Sequence, residues 1–207
     1  MKSTMILAAT MSALMAMPAA AHGVTVSGRV ASNGSADIEV YLGSVATTAR
    51  GYVGHSYGHR HGNFISATFA SHGVHHSGDT AYYFARARHD GRLISQNSPR
   101  IGMMAFFEGR RGADQVAIVT DVFADGTVEL VRETNHGRVQ TFYMNLDYPH
   151  LHKRRGYVVN DFMKVGRRGR TLSAQAFMGF ALPPRAHGHH YPRNYVVTTS
   201  SHGPHHG

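Results

Sequence analysis

Seventeen of the 207 residues are histidine and none is cysteine, so any chemistry must rest on imidazole, carboxylate, hydroxyl or amine groups. The missing thiol removes thiolate nucleophiles, Cys-ligated zinc and iron–sulfur centres, and any disulfide framework. His187, His189, His190, His202, His205 and His206 lie in a terminal stretch rich in Gly, Pro and Ser, while His55, His59, His61, His72, His75 and His76 lie beside or at the end of the segment 63–73. Neutral imidazoles ligate zinc, copper or nickel, and a flexible His-rich tract gathers such ions. The six terminal histidines are therefore the candidate metal ligands, for weakly bound Zn or Cu rather than a resident cofactor. No HExxH pair and no three-His-plus-carboxylate spacing specifies a built centre. The same imidazoles gain charge below pH about 6.5, which would also make the tail solubilising.

The compartment follows from residues 1–21. Lys2, an apolar stretch from Met5 to Met17, then Pro18 and Ala19-Ala20-Ala21 read as a cleavable secretory signal, too short for a membrane span of about 20 apolar residues. Cleavage after Ala21 would expose His22, whose amine and imidazole together could chelate Cu(II). Lys+Arg number 21 against 12 Asp+Glu, a formal charge of +9. Clusters at Arg110-Arg111, Lys153-Arg154-Arg155 and Arg167-Arg168-Gly169-Arg170 would suggest phosphate contacts in a cytosolic chain. In a secreted or periplasmic protein they point instead to envelope polymers or lipid head groups, not to nucleic acid. No later segment has the length of a transmembrane span, and the oligomeric state is left open.

The elements that must position such groups come in two halves. Residues 22–36 read as a linker. Ile38, Tyr41, Leu42, Val45, Ala49, Tyr52 and Val53 recur at helical spacing. A second helix opens at Asn63, with Phe64, Ile65, Thr68 and Phe69 on one stripe, and stops at Gly73. A third spans about 79–89, with Ala81, Phe84, Ala85 and Arg88 in register. Strand signals follow: 101–107, apolar throughout and hence buried on both faces; 116–123; a hairpin at Ala124-Asp125-Gly126-Thr127; 128–132; and 138–144, with Val139, Thr141 and Tyr143 on one face. The apolar stretch 174–182 is expected to pack back on this meander. Residues 185–207 read as a flexible His-rich tail. Helices followed by strands predict an α+β domain over 37–184.

Arg60-His61-Gly62-Asn63-Phe64-Ile65, with Ala67, Phe69 and Gly73-Val74 beyond it, resembles the Asp-Cys-Ser-Gly-Phe-Val segment of the NlpC-type and CHAP papain-like cell-wall peptidases and amidases. Ser98-Pro99-Arg100-Ile101-Gly102-Met103-Met104-Ala105-Phe106-Phe107 is similar to their Arg-Pro-Gly-Asp-Leu-Val-Phe-Phe strand, and Asp114-Gln115-Val116-Ala117-Ile118-Val119 to their Thr-His-Val-Gly-Ile-Val strand. The resemblance covers about residues 38–182 and implies a papain-like fold, N-terminal helices packed on an antiparallel meander. It places the nucleophile at His61, the base at Gln115 and the orienting residue at about Arg132. None keeps the family's residue, and a carboxamide cannot accept the proton a base must take. Shifting by one residue brings in Asp114 and Glu133, which alternation sends to the opposite sheet face.

The expectation is an exported protein without the family's catalytic residues, binding or structural at the cell envelope. Its partner would be an envelope polymer or a peptide, with peptidoglycan peptides as the class the resemblance implies. The groove at His61, Gln115 and Arg132, beside a helix N-terminus with free N–H donors, should suit an acidic peptide or glycan. Two other functions fit the composition: an exported His-rich metal binder, and a hydrolase with a rebuilt site.

Overall fold

The computed structural model describes residues 33–57, 63–76, 78–94, 98–109, 112–164, 169–186 and 191. The expected leader, His61 and the six terminal histidines lie outside these residues.

Helix α1 (Asn33–Gly51) starts inside the expected linker, ahead of the apolar periodicity that begins at Ile38. Its first turn carries Asn, Gly, Ser and Ala, so no apolar stripe announces it. Ile38, Leu42, Val45, Ala46 and Ala49 are buried along one side, as their three- and four-residue steps require. Helix α2 (Asn63–Ala70) buries Phe64, Ile65, Thr68 and Phe69. Helix α3 (Thr80–His89) is capped by Asp79, whose carboxylate accepts from Tyr82 N at 2.8 Å, and carries Arg86, Arg88 and His89 in its last turn. Both ends thus complement the helix dipole. Its buried stripe is Thr80, Tyr83 and Ala87, not the expected Ala81, Phe84, Ala85 and Arg88. Two alanines bury little area, whereas Tyr83 packs its ring against Phe69 and still satisfies its hydroxyl on His76 O at 2.8 Å.

The strands are β1 (Leu93–Ile94), β2 (Met104–Gly109), β3 (Gly112–Val122), β4 (Thr127–Glu133), β5 (Val139–Asn145), β6 (Lys153–Arg154), β7 (Tyr157–Val158), β8 (Phe162–Lys164), β9 (Arg170–Leu172) and β10 (Phe177–Ala181); the four-residue α4 (Ser173–Ala176) precedes β10. The expected meander β2-β3-β4-β5 is present and entirely antiparallel. It is extended to a six-stranded sheet, β1-β10-β2-β3-β4-β5, because the late apolar stretch enters as a strand beside β2. The fold is therefore α+β. Strand β2 begins at Met104, later than expected. Gly102 (φ +85) turns the chain where a side chain would overlap the Leu42 carbonyl of α1, a close approach that only glycine permits.

The pleat divides the core in two. Met104, Phe106, Val116, Ile118, Val131 and Val139 meet α2, α3 and the C-terminal half of α1 on one face. Ala105, Phe107, Ala117, Val119, Leu130 and Phe142 meet Met163, Ala176 and Phe180 on the far face. Beyond β10, Arg185 lies over the rings of Tyr41 and Tyr191, and Tyr191 donates to Pro183 O at 2.9 Å. The chain is thus held past the expected start of the tail.

The outer edge of β5 is occupied by backbone and side-chain partners rather than by another strand. Gly54 N donates to Val139 O and Val139 N to His55 O, both at 2.9 Å. Tyr143 N donates to Asp161 Oδ2 at 2.8 Å and Asn145 N to Asn160 Oδ1 at 2.9 Å.

Candidate functional site

Strand register decides which residues can face the N-terminus of α2. Phe106 pairs with Val116 and Phe107 with Gln115, while Ala117 pairs with Arg132 and Ile118 with Val131. Val116, Ile118 and Val131 pack toward α2, so Gln115 and Arg132 belong to the far face, with Phe107, Ala117 and Leu130. There they meet each other. Arg132 Nη1 donates to Gln115 Oε1, and Gln115 Nε2 donates to Lys164 O at 3.0 Å. The guanidinium lies 4.7 Å from the centroid of the Phe142 ring. Each residue of the pair is only 8 % exposed, and Arg132 Nε is buried with no hydrogen-bond partner among the described residues. Burial pulls the Arg132 guanidinium down to about 10, partly opposed by the charge of Asp161.

Sequence reasoning brings Gln115 and Arg132 together, and so does the structure. It does not set them beside α2. Their partner helix was expected to be the one His61 precedes, but that helix packs on the other face. Asp114 and Glu133 do lie opposite Gln115 and Arg132, as alternation requires, and theirs is the face that receives α2. Glu133 Oε2 accepts the N–H of Phe64 at 3.0 Å, a carboxylate in the first turn of α2 where the helix dipole favours it. Asp114 is the extra residue of a β-bulge: Phe107 pairs with Gln115 but Glu108 already pairs with Ala113. A pocket of roughly 150 Å³ is lined by Ile65, Thr80, Asp114, Gln115, Val116, Glu133 and Asn135.

Among the described residues, the pocket beside α2 is lined by acids and not by the expected cation. The expectation of an anion site rested on Arg132, His61 and free N–H donors, and His61 lies outside the described residues. Instead, two carboxylates line the pocket, one of them already accepting from the helix. Nearby, Tyr57 is pushed up to about 12, chiefly by burial, then by Tyr52 and by the Glu133 charge. A pair of carboxylates suits an ammonium or amide-rich ligand better than an acidic one.

Glu133 and Asp114 are the residues whose role the expected alignment missed. The usable signal was the parity of β4: Val131 is apolar and has to be buried, and Glu133 shares its side.

Among the described residues, no three His, Asp or Glu side chains converge as metal ligands. Likewise among them, no helix is long and apolar enough to cross a membrane. The candidate ligands His187, His189, His190, His202, His205 and His206 are outside that set. No protein-family model, curated protein or solved structure matches the chain.

Proposed function

We propose that this is an exported, catalytically silent protein of papain-like, NlpC/CHAP-type ancestry that acts as a binding or structural factor at the cell envelope, its ligand a cell-wall peptide. The observation that carries the proposal is the state of Gln115. The position that resembles the family's base bears a carboxamide with both ends engaged, on Arg132 and on Lys164 O. A carboxamide so held has no proton-accepting nitrogen and cannot serve as a base. Cationic character in the ligand is favoured by Asp114 and Glu133, which line the pocket; a stem peptide with a free side-chain amine has that chemistry.

The test is retention on isolated peptidoglycan, with calorimetry on stem peptides whose amine is free or acetylated. Binding that weakens on acetylation and on Asp114→Asn supports the proposal. Equal affinity for the two peptides, or no retention at all, overturns it.

The presence of both carboxylates at one pocket also favours a second function, a hydrolase with a rebuilt site in which one carboxylate moves a proton. Turnover of peptidoglycan that disappears in Glu133→Gln while the fold persists would select that function instead.

A further inference from the structure

Residues 148–172 hold seven of the chain's 21 Lys and Arg but only one acid, Asp161. Asp161 is turned toward the sheet, its carboxylate accepting from Tyr143 N at 2.8 Å. The stretch folds as two small hairpins, β6–β7 and β8–β9. Lys153, Arg155, Lys164 and Arg170 are exposed on them. Among the described residues, Lys153, Arg155 and Lys164 have no carboxylate within ion-pair distance.

Apolar groups stand out beside these cations. Tyr157 is 78 % exposed, Leu151 44 % and Phe162 43 %. Rings and cations are interleaved: Arg154 lies over Tyr148 at 4.0 Å, Arg170 over Phe162 at 4.6 Å, and His152 is 4.7 Å from Phe162. The surface is also preformed. Fully buried Asn160 donates to Tyr148 O and Leu151 O, both at 2.8 Å, and accepts from Asn145 N.

The tip of β6–β7 adds an independent sign. Arg155 has φ +48 and Gly156 φ +87, a two-residue turn with both centres in the left-handed region. Asn or Asp before Gly is the usual choice there. Arg155 is the one non-glycine residue with positive φ among those described, so a cation is kept at the apex against the backbone's preference.

We propose that this hairpin surface docks the protein on a bilayer of anionic phospholipids. Guanidinium and ammonium groups meet lipid phosphates, and Tyr157, Leu151 and Phe162 enter the head-group boundary, the level at which amphipathic rings settle. A water-soluble polyanion would satisfy the cations and leave those apolar groups wet, which is why a bilayer is the favoured occupant. This surface is separate from the α2 pocket, and its assignment does not depend on the ligand proposed there.

The experiment is co-sedimentation of the full chain with vesicles of phosphatidylcholine alone or mixed with phosphatidylglycerol, alongside binding to inorganic polyphosphate. Partition should require phosphatidylglycerol. Each cation removed, in Lys153→Gln and Arg155→Asn, should lower it about fivefold. Tyr157→Ala should weaken vesicle binding and leave polyphosphate binding unchanged. Both substituted cations are exposed, and circular dichroism is the check that each variant folds. No partition into anionic vesicles, unchanged partition in the charge variants, or a Tyr157→Ala variant indistinguishable from wild type would overturn the proposal. The last result, with tight polyphosphate binding, would assign the surface to a soluble polyanion.

Discussion

Arg132 on β4 donates to the side-chain oxygen of Gln115 on β3, and its guanidinium lies over the Phe142 ring. A cation is thereby kept inside the sheet's far face with a neutral amide as its only hydrogen-bonding side-chain partner among the described residues. Such a charge carries a desolvation cost that its partner offsets in part.

Gln115→Leu should therefore lower stability by about 2–3 kcal/mol, because it strands a buried guanidinium and frees Lys164 O. Arg132→Met should cost less than Gln115→Leu, since it removes the charge and keeps the volume over Phe142. Urea unfolding of the two variants ranks them. The opposite order would contradict the pairing.

Gly102→Ala should destabilise by about 3 kcal/mol or more, the sum of a left-handed backbone and a clash with the Leu42 carbonyl. Thermal unfolding reads this directly. A normal melting temperature would mean that α1 does not rest on this turn.

Tyr41 gives a pH signature. Its hydroxyl donates to Pro184 O, and burial pushes the phenol from 10.0 up to about 12, with Arg185 and Arg92 opposing. Between pH 10 and about 12 the unfolded chain has lost this proton and the folded chain has kept it. The contribution is complete below pH 10 and is lost on going up to about 12, an effect on the order of 2 kcal/mol. Arg132 acts the other way. Its folded value of about 10 means that the unfolded state binds more protons above that pH, so stability rises there. Comparing wild type with Tyr41→Phe over pH 9–12 separates the two. The variant should lose less stability across this window, and parallel curves would exclude Tyr41 as the source.

Asn160→Ala should cost about 3 kcal/mol and expose the 148–164 hairpins to proteolysis. It removes bonds to Tyr148 O, Leu151 O and Asn145 N at a fully buried position. Limited proteolysis followed by mass spectrometry locates the cut. Cleavage elsewhere would show that Asn160 is not the hub.

Arg155→Asn should raise stability by about 0.5–1 kcal/mol, since asparagine tolerates φ +48 at lower cost. If the same change weakens vesicle binding, the cation is present for docking and not for the turn. A loss of stability would remove that distinction.

Much of the frame was legible because its signals are local. The 3.6-residue recurrence at Ile38–Ala49 and the Asp125-Gly126 hairpin both match elements the structure contains. The strand β10 was visible only as an apolar stretch; nothing in Phe177–Ala181 states that its place is between β1 and β2. The site failed at a single-residue level. Gln115 and Arg132 share a hydrogen bond, but which face of the sheet receives α2 depends on packing between distant segments. The bulge at Asp114 further disturbs the alternation on which such a choice relies. Asn160 and the left-handed backbone of Arg155 gave no warning, because a single amide and one arginine of the Lys153-Arg154-Arg155 cluster look like any surface residue until the backbone they serve is known.

The margins of the sheet carry a last consequence. On one side β1 is two residues long; on the other, the outward bonds of Val139, Tyr143 and Asn145 are already engaged by neighbouring loops. An open sheet edge is a template on which a second copy can pair strand upon strand. With one rim this short and the other engaged at three positions, the sheet offers a second copy little edge to extend.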